Sequence, residues 1–221
     1  MTRNDAGIPV TQEEQQAIDI LGENKVIFVS EVAAKWDIKV PEDLLIPFPE
    51  EVLLRCAEEN KAGKADWRLV YVSNLSLREQ RELRGTDRDR QPCFHGYENP
   101  WWLNKSEDSW TTEQKKADYR LLNLQLQFSN RNWQEQTDDV AKLGNEYERA
   151  SEKDIAEAIL SVFMTTEERL FEHTYHWGHH SLNSGHSRVI VGSFGFSGLE
   201  IDRAWPGQRY PFIGVVVARK F

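Results

Sequence analysis

A chain of 221 residues that is 39% hydrophobic, 29% charged and 11% aromatic has the length of one domain, and folding at that size buries roughly 70% of the unfolded chain's surface. Those proportions exclude a wholly disordered chain, and the longest apolar stretches, Val26 to Val29 and Val215 to Ala218, fall far short of the ~20 residues of a membrane helix. The formal net charge of −9 opposes nucleic acid or an anionic membrane as partner, although residues 173–221 alone carry five basic and two acidic side chains.

Along the chain, Met1 to Gly7 is polar and lacks a hydrophobic leader core, so a soluble cytoplasmic protein is expected. Thr11-Gln12-Glu13-Glu14 is a capping box, which predicts a helix from Gln12 to Leu21 ended by Gly22. Val26 to Val29 reads as a short buried strand. Ser30 to Trp36 has the look of the first helix of a helix-turn-helix, but its acidity and Pro41, Pro47 and Pro49 argue against a recognition helix after it. Pro49 to Asn60 is predicted helical, Trp67 to Ser73 a strand, and Ser76-Leu77-Arg78-Glu79 a second capping box whose helix ends near Gly85.

Thr86 to Trp110 lacks periodicity yet carries Phe94, His95, Tyr97, Trp101, Trp102 and Trp110, so it should pack over a core or line a stacking platform for a planar ligand. Leu122 to Phe128 alternates without exception and predicts a half-buried strand. Two helices follow, the first capped by Asn130 and the second opening at Ser151, and both read as suppliers of core rather than chemistry. After Thr165, glycines separate short apolar runs, which implies an antiparallel meander. The expectation is a single α+β domain over residues 1–221, with helices on an antiparallel sheet and a β-rich subregion over 165–221.

Chemistry-bearing residues concentrate near the end. Five of the six histidines lie between His173 and His186, and imidazole is a common zinc ligand, so His173, His176, His179 and His180 are the candidate metal ligands. Phe171, Tyr175, Trp177 and Gly178 favour a strand running into a loop, an arrangement that splits the set, and no HExxH motif is present. Without metal, Glu172, Glu200 or Asp202 could orient a histidine as general base beside Ser181, Ser184 or Ser187. Cys56 and Cys93 make no disulfide framework, and Cys93, in a loop context that suits a reactive thiol, is a nucleophile candidate with His95, although no third partner is identifiable.

Val191-Gly192-Ser193-Phe194, Arg203-Ala204, Pro206-Gly207-Gln208-Arg209 and Ile213-Gly214-Val215-Val216-Val217-Ala218-Arg219 together resemble the closing strands of C-type-lectin-like domains of the formylglycine-generating and bacterial variable-protein kind. Val191 stands where that family has its first glycine, Phe194 its tryptophan, and Val215-Val216 its Phe-Arg pair. The resemblance implies that irregular loops, Tyr175 to Arg188 and Arg203 to Tyr210, form a contact surface. The sequence therefore points to a binding protein for a protein or small-molecule ligand, needing no cofactor, with contacts at Trp101, Trp102, Tyr175, His176, Trp177, Trp205, Arg209 and Tyr210. The alternative is a hydrolase, with or without zinc, that uses the histidine cluster.

Overall fold

The computed structural model describes residues 10–39, 41, 44–104, 108–182 and 185–221. Among them the order of elements is α1 (Gln12–Leu21), β1 (Val26–Ile27), α2 (Val29–Trp36), α3 (Glu50–Lys61), β2 (Trp67–Val72), α4 (Leu77–Arg84), α5 (Asp108–Thr111), β3 (Asp118–Gln127), α6 (Trp133–Leu143), β4 (Tyr147–Arg149), α7 (Glu152–Thr166), β5 (Tyr175–Leu182), β6 (Ser187–Gly195), β7 (Gly198–Ala204) and β8 (Ile213–Arg219). This is the expected α+β architecture.

Local signals account for the helix starts. Thr11, Ser76 and Asn132 each accept a hydrogen bond from the backbone N–H three residues on, while a glutamate at that position bonds back to the cap, so two orphan donors are satisfied at each end. Ser151 caps α7 through the N–H of Asp154. The cap of α6 is Asn132 rather than the expected Asn130, whose backbone is left-handed (φ 57°) and whose N–H donates to the Tyr210 carbonyl.

The strands form one sheet in the order β1-β2-β3-β8-β5-β6-β7, with β4 also paired to β8. It is mixed rather than purely antiparallel, because β1 runs parallel to β2 and β5 parallel to β8. The predicted meander is present as β5-β6-β7, each antiparallel to the next. β8 joins the two halves: Val217, Ala218 and Arg219 pair with β3 on one side and β4 on the other, whereas Ile213 and Gly214 pair with β5.

All six residues of β2 and all seven of β8 are buried, so both faces of these strands are covered. α7 lies against β1, β2, β5 and β6 and carries an unbroken buried run from Glu152 to Val162. The main core reaches from Ala17 in α1 to Ala218 in β8, and a smaller cluster forms around Trp177, Ile190 and Ile213. A polar run inside such a core needs partners, and those partners define the site below. No helix of the described residues is long and apolar enough to cross a membrane.

Candidate functional site

The residues singled out in the sequence fall in several settings, of which one small cluster around Ile190 and Ile213 brings Tyr175, Trp177 and Tyr210 together. Trp102 is 2% exposed and packs on Phe94, and His176 and Trp177 are completely buried, so these three belong to the interior rather than to a contact surface. Trp101 is half-buried beneath the Arg203 guanidinium, 5.1 Å from the ring centre. Tyr175 donates its hydroxyl to Glu200, and Tyr210 packs between Trp177 and Phe212. Trp205 is 62% exposed, and Arg209, also exposed, is paired with Glu135. Tyr175 to Leu182 is strand: the aromatic alternation predicts its start, but it continues through His179 and His180, where that reading and the lectin-like resemblance place a loop.

The four candidate zinc ligands are likewise divided. His173 is exposed; His176 is sealed against Phe171; His179 Nε2 meets the Arg149 carbonyl; and His180 Nδ1 meets Glu152. Among the described residues no three His, Cys, Asp or Glu side chains are placed to hold a metal. Ser184 lies outside the described residues, and Ser181 is exposed. Cys93 is fully buried, its sulfur accepts a hydrogen bond from Gln91, and burial pushes its thiol up, so it is not the reactive thiol considered above.

What the fold does assemble is a cleft at the start of α7. Glu152, 2% exposed, reaches β5 at Gly178 and accepts hydrogen bonds from the His180 backbone N–H (2.6 Å) and from His180 Nδ1 (3.1 Å). The glycine makes this approach possible, since a Cβ there would stand 2.2 Å from Glu152 Oε1. Burial pushes the Glu152 carboxyl up, but the His180 hydrogen bonds and charge more than offset it and hold it below the usual range. The hydrogen bond to Glu152 raises His180, with partial burial opposing. Nε2 of His180 stands 3.7 Å from Glu113, and the ring stacks on Trp110 at 5.6 Å. Trp110 is 8% exposed, and its Nε1 has no hydrogen-bond partner among the described residues.

One residue further on, Lys153 Nζ donates to the Ser73 carbonyl at 2.5 Å and lies 3.9 Å from Glu157 Oε2. Glu157, completely buried, accepts from the Ser73 N–H (2.6 Å) and from Gln80 (3.0 Å). Burial pushes its carboxyl up to about 7, with Lys153 and Ser73 pulling the other way. Burial lowers Lys153; Glu157 and Asp154 oppose that, while Lys115 and Arg120 add to it. Ionisable groups so displaced and so enclosed are commoner in working sites than in inert cores.

Trp110, Glu113, Lys115, Glu152, Lys153 and His180 line the cleft, which has about 10 Å³ of room, enough for roughly a single water. Lys115 also lines a larger cavity of about 920 Å³, together with Lys39, Tyr71, Asn74, Gln114 and Lys116, and no acidic side chain occurs among the described lining residues. The spacing of Ile155, Ile159, Val162 and Phe163 predicts only core for α7. The signal that could have shown otherwise is the glycine within β5, because a glycine in a strand marks a bulge or a close approach. The aromatic loop packs down over the core, the first of the two expectations for it, with Phe94 bridging to Leu199 and Trp110 meeting His180. Comparison of the chain with protein-family models, with curated proteins and with solved structures gave no match.

Proposed function

We propose that this chain is a binding protein for a small anionic ligand seated between Lys115 and Lys116, with the buried network at the start of α7 forming the inner end of the site. The observation that carries the reading is the 920 Å³ cavity, at which three lysines, two amides and a tyrosine meet beside Ile38, Pro41 and Ala117 in a protein of net charge −9. Lysine ammonium groups attract an anion as point charges, and Asn74 can donate to its remaining oxygens, whereas the Gln114 amide already donates to Glu79 (2.9 and 3.1 Å). A cytoplasmic location belongs to the same proposal, supported by two cysteines that are buried and unpaired.

Calorimetric titration with inorganic phosphate, pyrophosphate and citrate tests the reading. Saturable binding is expected, weakened about 10-fold by Lys116→Ala and again by Lys115→Ala, the change produced by ~1.4 kcal/mol. Binding that both variants leave untouched, or no binding to any of the three, overturns it.

The Glu152–His180 contact favours a second reading, hydrolysis. A buried carboxylate on Nδ1 fixes the imidazole's orientation and leaves Nε2, beside Glu113, to take a proton from an attacking water. Here Glu152 is the orienting group and His180 the general base. Ester or phosphoester turnover lost in His180→Ala and reduced in Glu152→Gln supports it; turnover unchanged in both removes it.

A further inference from the structure

Resting on the anion-binding reading, we propose that Lys153 is an amine nucleophile that takes a small oxo acid as an imine, with the acid's carboxylate held by Lys115. Lys153 is 6% exposed, yet it lines the cleft alongside Trp110, Lys115 and His180. Its nitrogen donates to a neutral carbonyl, Ser73 O, and its nearest carboxylate is the fully buried Glu157 at 3.9 Å. An amine that is to attack a carbonyl must be unprotonated; one N–H bond to a carbonyl holds it in place without demanding a charge. The charged groups around it divide. Lys115, from the segment before β3, and Arg120, on β3, repel a proton, whereas Glu157 and Asp154 on α7 and Glu79 on α4 attract one.

Two further observations point to a ligand carrying acceptor oxygens. The Trp110 indole N–H is buried at the cleft without an acceptor, and Lys115 belongs to both cleft and cavity, so a molecule held by the cavity lysines has a cationic neighbour on the way to Lys153. The cleft has room for about one water, so a carbonyl with its carboxylate enters only as the lining side chains move apart, which favours the smallest oxo acids. In the step itself, the Nζ lone pair forms a bond to the carbonyl carbon and the carbonyl π electrons move to oxygen, which takes up a proton. The nitrogen then loses a proton, and the hydroxyl takes up a second proton and departs as water, leaving the protonated imine. His180 and Glu157 are the nearby acid–base groups for these transfers.

The test is treatment of the folded protein with glyoxylate and cyanoborohydride at neutral pH, followed by peptide mapping of carboxymethyl-lysine. Reductive modification at Lys153 is expected at least 10-fold faster than at the exposed Lys61 and Lys64, slowed by inorganic phosphate and absent in Lys153→Arg. Protein unfolded in guanidinium should label these lysines equally, so the wild-type map does not depend on a variant folding. Preferred labelling of Lys115 or Lys116 with Lys153 untouched overturns the amine proposal and leaves the anion site standing. Fast labelling of Lys153 that phosphate does not slow upholds the nucleophile and removes the anion site. No selectivity over Lys61 and Lys64 removes both.

Discussion

At position 178 the side chain has no room to be anything but hydrogen, because the Glu152 carboxylate occupies the space a methyl group would take. Gly178→Ala is therefore expected to cost about 1–3 kcal/mol in chemical denaturation and to lower the His180 pKa towards the ordinary ~6.5, read by NMR titration, as Glu152 is displaced. His180 also sets a direction for pH. Its folded pKa is raised above the unfolded value, so its contribution to stability is complete below about 6.5 and is lost as pH rises through the raised folded value. His176 acts oppositely. Completely buried, with no well-formed hydrogen bond at either ring nitrogen and only a backbone contact to Val215 in partial compensation, it is lowered to about 3. It is neutral in the folded protein, and stability is lost as pH falls from about 6.5 towards about 3 because the unfolded ring takes up a proton. His176→Phe should flatten the acid limb of the stability profile over that interval; an unchanged limb assigns the acid sensitivity elsewhere.

Whole elements were legible wherever a local device sets them. The capping boxes at Thr11 and Ser76, the glycine stops at Gly22 and Gly85, and the glycine-separated meander read directly as structure. Asn132→Ala should remove one capping bond from α6 and cost ~1 kcal/mol in thermal unfolding, with Asn130→Ala costing less; equal losses would mean the boundary lies nearer Asn130. α7 was less legible. Its sequence carries Ile155, Ile159, Val162 and Phe163 on one face, which predicts an amphipathic helix with Glu152, Lys153 and Glu157 in water. Instead β5, β2, α2 and α4 enclose it, and its ionic groups find partners on Ser73, Gln80 and His180. Periodicity reports the apolar face but not the neighbours that cover the other one. Candidate site residues failed for the same reason. His176, Trp177 and Trp102 have types favoured at binding surfaces, but their strand and loop positions fall where the core closes over them.

For the molecule as a whole, the two halves of the sheet share β8 and the main core, so heat should unfold the chain in a single calorimetric transition whose calorimetric and van't Hoff enthalpies agree. Two separable transitions would show that β5-β6-β7 folds apart from the rest. That unity was only partly legible. The run from Phe212 to Ala218 marks a buried strand, but nothing local says that it pairs with β3, β4 and β5, segments far away along the sequence. The position of β8 also has a consequence during synthesis. A ribosome releases β3 and β5 before β8 exists, leaving both with bare hydrogen-bonding edges in an unfinished nascent chain. Quality-control factors thus meet a product whose exposure ends only when its central strand leaves the exit tunnel, and chains truncated ahead of Ile213 should be recovered bound to chaperones or in aggregates.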